Sequence, residues 1–270
     1  MPKIAIPEIS RRDLEAFERD GVICLRSVFD NSWVERMQVA IDKAMAKSIP
    51  LSEEIRKGGR FLNDNFMWTK DADFRAFVFE SPAAEMAAQV LKSEKINLLG
   101  DNLLVKEPEA DVSIHWHNDQ PYWPTQGWKS CTIWLPLDRI SQENGGLRYI
   151  KSSHRWGKRL LTQESCTWLK ERSPYEILFW DMEPGDCLIH HLLTIHSSPG
   201  NTSSTWRRAL STTWAGDDIT LRATRFLKSA NQLGISESNS IRDLKSSDPI
   251  DCTLFPMIEL HPEHRFNNTL

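Results

Sequence analysis

Ile96-Asn97-Leu98-Leu99-Gly100 and Asn102-Leu103-Leu104-Val105 are where the chain changes its period, and their reading decides the fold class. Before them, apolar residues recur every three or four positions; from Ile96 onward they come in short runs and alternations. The two runs read as one strand or a bent pair. Further on, Ser130-Cys131-Thr132-Ile133-Trp134-Leu135-Pro136-Leu137 alternates as one strand ending near Asp138. Glu143-Asn144-Gly145-Gly146 is a turn into Leu147-Arg148-Tyr149-Ile150, and Pro184-Gly185-Asp186 turns into Cys187-Leu188-Ile189-His190-His191-Leu192. A polar helical insertion is expected from about Thr162 to Arg172, and Arg207 to Trp214 is the last strand. Many short strands with Gly and Pro turns, after helices grouped at the N-terminus, predict a β-sandwich or jelly roll buttressed by helices.

Working back from Ile96, Ser81-Pro82 opens a helix through about Leu91 that buries Ala83, Met86, Ala87 and Val90. An amphipathic helix from about Asn31 to Lys47 carries Val34, Met37, Ile41 and Met45 at helical spacing. Ser10 caps a first helix that Asp20-Gly21 ends, and Val22-Ile23-Cys24-Leu25 follows as a short buried strand. Between these, residues 50 to 80 are less regular. The Gly58-Gly59 pair among basic and aromatic residues suits either a mobile lid, over residues 50–70, or a plain surface loop. No repeat or composition break marks a second unit. Residues 1–270 are therefore expected as one domain, with a helical part to about 95, a core to about 220 and a C-terminal extension.

The chain has 270 residues, a hydrophobic fraction of 40% and a net charge of -4. With no basic stripe, nucleic acid and anionic membrane surfaces are unexpected partners. The five cysteines are scattered without a C-x-x-C pair, so neither a disulfide framework nor a structural zinc site is suggested. No signal-like segment opens the chain and no run approaches the roughly 20 apolar residues that span a bilayer. A soluble cytoplasmic protein, monomer or homodimer, is the expectation.

The chemistry centres on His115-Trp116-His117-Asn118-Asp119. In an extended strand these alternate residues share a face, so a histidine and Asp119 could grip one cation. Either His115 or His117 has the parity. The following Gln120-Pro121-Tyr122-Trp123-Pro124 favours His117, leaving His115 beside the site or at its entrance. One more histidine from elsewhere would complete two imidazoles and a carboxylate on one face of a metal, an arrangement that suits Fe(II) and O2. Downstream, His196 precedes a loop leading to Arg207, which alternates with the small residues Ala209 and Ser211. A buried arginine there needs an anionic partner, and its planar fork matches a carboxylate. Arg208 then faces outward as a solvated charge.

Asp101-Asn102-Leu103-Leu104-Val105-Lys106-Glu107-Pro108, Trp116-His117-Asn118-Asp119-Gln120-Pro121-Tyr122-Trp123-Pro124, and Pro184-Gly185-Asp186 with His191, His196, Asn201, Arg207 and Arg208 resemble the phytanoyl-CoA dioxygenase family over about residues 10–220. That resemblance implies a double-stranded β-helix, a cupin-like jelly roll, using Fe(II), 2-oxoglutarate as cosubstrate, and O2. It makes His117, Asp119 and His196 the iron ligands. Arg207 would hold the distal carboxylate of 2-oxoglutarate with Ser198, Trp134 and Asn102 beside it. Trp123 matches a substrate-facing aromatic of the related ectoine hydroxylases, and Trp116 joins the same aromatic group. Lys106 fits the family's lysine-proline segment only loosely, because Glu107 intervenes. Ser152-Ser153-His154 departs from the Gly-Ser-His of relatives and questions a tight turn there. The implied reaction is hydroxylation of an unactivated C–H of a small or medium metabolite, releasing succinate and CO2, with desaturation or ring formation left open. Halogenases on this scaffold have a small residue at the position of Asp119. A cupin-like metalloprotein that binds or isomerises a ligand without O2, with His115 and His117 as an H-x-H pair, is the alternative.

Overall fold

The computed structural model describes residues 6–46, 53–56, 59–157, 168–169, 171–222 and 245–261. The first segment runs α1 (Arg11–Asp20), β1 (Val22–Leu25) and α2 (Asn31–Ala46). Ser10 caps α1 by accepting from the Asp13 amide at 3.1 Å, and Gly21 ends it in the left-handed region at φ 80°. Any Cβ at Gly21 would lie 2.3 Å from His154 Nδ1, so both the turn and the packing demand glycine.

Next come β2 (Glu53–Arg56) and β3 (Gly59–Asn65) as a hairpin, then α3 (Ala72–Glu80) and α4 (Ala83–Leu91). The stretch offered as a lid or loop is therefore an edge hairpin of the large sheet, because β3 hydrogen-bonds along β4 from Phe61 to Asn65. Nor was α3 expected. Asp71 caps it, accepting from Asp73 N at 2.8 Å, and Phe74, Phe77 and Val78 bury one face at helical spacing.

The strand-rich part comprises β4 (Ile96–Lys106), β5 (Ile114–His117), β6 (Thr125–Gln126), β7 (Ser130–Pro136), β8 (Arg148–Ile150), β9 (Ile177–Leu178), β10 (Cys187–His191), β11 (His196–Ser198), β12 (Arg207–Ala215), β13 (Thr220–Leu221) and β14 (Met257–Ile258). The large sheet is ordered β1-β10-β7-β12-β4-β3-β2, with β14 pairing the start of β4. A smaller sheet is ordered β5-β11-β8-β9, and β6 pairs β13 separately. The expected helical N-terminal part thus also supplies three strands, and the C-terminal extension returns to the core through Ile250, Phe255 and Ile258. Residues 158–167 and 170, most of the expected helical insertion, lie outside the described residues.

The period-2 alternation of β4 explains the layering. Leu99, Leu103 and Val105 join one large apolar core with Phe74, Phe77, Met86 and Val90 of the helices. Gly100, Asn102 and Leu104 face the opposite way, into a cavity between the two sheets. One face of the large sheet is thus packed under helices, and the other, opposed by the smaller sheet, frames the jelly-roll interior. Ser152 keeps the turn questioned above: it adopts φ 61° and is held by Ser152 Oγ donating to Arg19 O at 2.7 Å. Among the described residues, no helix is long and apolar enough to cross a membrane.

Candidate metal centre

The two histidines meet across the smaller sheet. His117 ends β5, His196 begins β11, and the register pairs them directly. Their rings lie 4.3 Å apart between centroids. In each, Nδ1 meets the carbonyl two residues earlier, His115 O at 2.8 Å and Thr194 O at 3.0 Å. A carbonyl only accepts, so both Nδ1 atoms carry the proton and both Nε2 lone pairs are presented to the cavity. Asp119 Oδ1 stands 3.7 Å from His117 Nε2 and 3.6 Å from His196 Nε2. The donor atoms of His117, Asp119 and His196 all lie within 4.8 Å of one another, a spacing that fits one metal ion.

The strand-parity argument for Asp119 does not hold. β5 stops at His117, and Asp119 sits in helical backbone (φ -78°, ψ -27°) where the chain turns. Its placement comes from the backbone: the amides of Asp119 and Gln120 both donate to Leu192 O, at 2.9 and 3.0 Å. The side chain is then locked through its other oxygen. His190 Nε2 donates to Asp119 Oδ2 at 3.0 Å, and Thr132 Oγ1 donates to the same atom at 3.1 Å. Tyr149 Oη lies 3.1 Å from His190 Nδ1; with Nε2 protonated, the phenol is the donor. Oδ2 is spoken for twice, and Oδ1 is left for a metal.

Burial, with the neighbouring His196, pushes His117 down to about 4, so it is a neutral donor at neutral pH. Burial alone would raise the Asp119 carboxyl, but the facing His196 and the His190 hydrogen bond hold it below the usual carboxylate range. His115 is exposed at the cavity wall and does not join the donor cluster, which removes the H-x-H pairing.

Behind Trp134 of the cavity lining, Arg207 is buried at 1% exposure. Nη1 donates to Leu104 O at 3.2 Å, and Nε has no partner. Its guanidinium lies 6.0 Å over the Trp134 ring, whose buried Nε1 is also unpartnered. Lys106 sits directly across the ladder from Arg207, and its Nζ donates to Ser198 Oγ at 2.7 Å and to Pro199 O. A buried Arg207 cation with two unpartnered donors, its own Nε and Trp134 Nε1, is what a carboxylate would need, and Ser198, whose Oγ accepts from Lys106, lies on the same side. Burial pushes Arg207 down to about 10, and burial together with Arg207 pushes Lys106 down to about 6. Unfolding therefore takes up a proton at Lys106. Its destabilisation is fully present below about pH 6 and is relieved as pH rises toward the ordinary lysine value. Lys106→Met is expected to flatten that rise, read as the difference in urea midpoint between variant and parent at pH 6 and pH 9.

The structure gathers His117, Asp119, His196, Ser198, Trp134, Asn102 and Trp123 around one cavity of 530 Å³, with Arg207 behind it. Trp116 is not among the lining residues; it packs with Ile150, Leu169 and Ile195 because strand alternation turns it away from His117. Arg208 is not a solvated charge: it forks onto Asp138 at 2.7 and 3.1 Å and reaches Asp42 at 2.8 Å. His191 donates from Nε2 to Trp128 O at 2.8 Å and packs tilted against that residue's ring at 4.4 Å, so it pins a turn. His190, Thr132 and Tyr149 were not anticipated as partners of the site. The alternation Leu188-Ile189-His190-His191 carried a signal for His190, but its partner lies 71 residues away.

A model of the phytanoyl-CoA dioxygenase (PhyH) family matches residues 17–209. The multifunctional dioxygenase prhA of Penicillium brasilianum is 25% identical over 208 residues, covering 72% of this chain and 67% of its own. A probable alpha-ketoglutarate-dependent hypophosphite dioxygenase of Stutzerimonas stutzeri is 27% identical, over 48% of this chain and 52% of its own. The chain thus spans between about half and two thirds of the length of these curated relatives. Among solved structures, the non-heme alpha ketoglutarate dependent carbocyclase SnoK from nogalamycin biosynthesis superimposes with a TM-score of 0.76 at 19% identity, over 93% of this chain and 97% of that one. That likeness establishes the jelly-roll fold, and the family match, over most of the chain, establishes kinship: this chain belongs to the phytanoyl-CoA dioxygenase family.

Proposed function

We propose that this protein is an Fe(II)- and 2-oxoglutarate-dependent oxygenase acting on a small or medium metabolite, with hydroxylation of an unactivated C–H as its outcome. The observation that carries the reading is a pairing of two features about one cavity. Two neutral imidazoles and a carboxylate converge on it, and behind its Trp134 and Ser198 lining lies a buried arginine whose Nε, like Trp134 Nε1, has no partner. His117, Asp119 and His196 would hold the iron; Arg207, Ser198 and Trp134 would hold 2-oxoglutarate. When bound, iron and 2-oxoglutarate supply the activation of O2 and the oxidising power, with succinate and CO2 released.

The chain's own residues bind, orient and exclude. Arg207 offers two parallel N–H bonds to a carboxylate, fixing the far end of the cosubstrate by geometry as well as charge. Trp134, buried at 1% exposure, walls that end from water. Asp119 contributes one negative charge through Oδ1 while His190 and Thr132 hold Oδ2, which keeps the carboxylate single-toothed and its direction fixed. Retention of a carboxylate at Asp119 supports hydroxylation over halogenation.

His190→Phe is expected to weaken metal binding by about 10- to 100-fold, the usual effect of losing a group that orients a ligand. Quenching of tryptophan fluorescence during titration with Mn(II) or Fe(II) measures it directly. The reaction itself is tested by succinate formation from 2-oxoglutarate with Fe(II), ascorbate and O2. Metal-independent decay, or none above background with any substrate, refutes the oxygenase reading in favour of ligand binding alone.

A further inference from the structure

The cavity that holds the metal donors is lined, away from them, by a wall with no positive charge. Phe61, Asn63 and Asn65 come from β3, and Gly100 and Asn102 from β4; the register sets Asn65 beside Asn102, and Asn102 beside Ser211 of β12. Among the described residues, no lysine or arginine lines it. Lys106 and Arg207 lie behind Ser198 and Trp134, where the proposed cosubstrate uses them. Arg60 lines a separate groove with Glu107, Leu62 and Trp206. The side chains of Arg56 and Lys57 lie outside the described residues. Negative charge is equally scarce. Asp119 belongs to the metal centre; Asp101 accepts from the Trp68 amide through Oδ2 at 2.9 Å, its Oδ1 has no partner, and burial pushes its carboxyl up to about 7.

What remains is neutral polarity beside flat apolar surface. Asn102, which the resemblance set beside 2-oxoglutarate, buries its Oδ1 without a hydrogen-bond partner, an acceptor that suits an O–H or N–H donor and not a carboxylate. One step along the same face, Trp123 lies across bare backbone: a Cβ on Gly100 would come within 2.9 Å of the Trp123 ring. Tyr122 stands edge-on to His117, with ring centroids 6.0 Å apart, and carries the aromatic surface to the metal ligands. An amide and hydroxyl row next to the rings of Trp123 and Tyr122 matches a ring with hydroxyls on its edge and C–H bonds on its face. A charged substrate would be stripped of water here with no counter-charge to meet it. The 530 Å³ volume, shared with the cosubstrate, admits one or two such rings.

We propose that the substrate is an uncharged, hydroxyl-bearing ring compound, of sugar or cyclitol type, read by Asn102 and its neighbouring amides and seated against Trp123. The assignment names the substrate class of the oxygenase reading and rests on it for the reaction, but not for binding.

The test uses the full chain loaded with metal and 2-oxoglutarate. Phenyl glucoside, methyl rhamnoside and inositol are each compared with the matched phosphate or uronate, and a medium-chain acyl-CoA completes the panel. Two signals are read: stimulation of succinate formation over the substrate-free rate, and the shift in melting temperature in a parallel anaerobic sample. The expected result is stimulation and thermal shift from at least one neutral ring, tenfold or more above its charged counterpart. Asn102→Leu then raises the KM for that ring about tenfold, and Gly100→Ala, by displacing Trp123, does the same. A best response from an anion or an acyl-CoA overturns the proposal, as does a panel in which no neutral ring exceeds its charged partner. The two readings fail separately. Ring binding in the melting assay without succinate refutes the oxygenase, whereas succinate formation that no neutral ring stimulates refutes the substrate class.

Discussion

Replacement of Asp119 by alanine is expected to cut 2-oxoglutarate turnover by ~1,000-fold or more, since removing even a group that merely orients a metal ligand costs 10- to 100-fold. The size follows from what the carboxylate does. It is the only anion in a cluster otherwise made of two neutral imidazoles, so its loss removes the charge that favours a dication over water. It also strands the His190 N–H and the Thr132 hydroxyl, both of which spend their hydrogen bonds on Asp119 Oδ2. Titration with Mn(II) followed by fluorescence should show metal affinity falling in step with turnover. Asp119→Asn keeps the volume and an acceptor for His190 but not the charge. It is expected to restore folding stability without restoring turnover, which isolates the electrostatic part. Full activity in the alanine variant would sink the metal assignment.

Arg207→Met is expected to raise the KM for 2-oxoglutarate ~100-fold or more, as truncating one partner of a buried charge pair costs about 2–5 kcal/mol. The same variant should be at least as stable as the parent without cosubstrate. In that state the guanidinium is buried at 1% exposure, has one protein hydrogen bond to Leu104 O, and faces Lys106 across the ladder. An apolar side chain of similar length removes that desolvation cost and leaves no charge to satisfy. Stability retained while cosubstrate affinity collapses is a combination that a purely structural arginine cannot produce. Arg207→Lys keeps a charge but loses the fork and should recover only part of the affinity. Isothermal titration with 2-oxoglutarate and urea denaturation supply the two readouts. A large loss of stability with unchanged KM would remove Arg207 from the cosubstrate site.

How much of this was legible depends on how local each cause is. The strands at β4, β7, β10 and β12 are carried by alternation within a few residues, and α1, α2 and α4 by spacing and caps, so they can be read from the chain. α3 was missed although Asp71 caps it and Phe74, Phe77 and Val78 keep helical spacing; its crowded aromatics and the irregular stretch before it hid the period. The pairing of β2 with β3 was not legible, because nothing nearby signals that β3 will pair with β4, some forty residues downstream. Trp116 followed from the same alternation that placed His117, and reading that alternation strictly would have turned it outward.

By itself the sequence determined the strand and helix periods and the need of a buried Arg207 for an anion, which rest on residue type and short-range spacing; the set His117, Asp119 and His196 came from the family resemblance. Only the tertiary structure decided that Asp119 leaves the strand and is aimed by Leu192 O, that His190 and Thr132 occupy one carboxylate oxygen, and that Lys106 backs Arg207. It also decided that, among the described residues, no lysine or arginine lines the cavity. The reason is physical: each of these depends on strands far apart in the chain pairing in one register, and on burial, which turns ordinary side chains into groups that must find a partner.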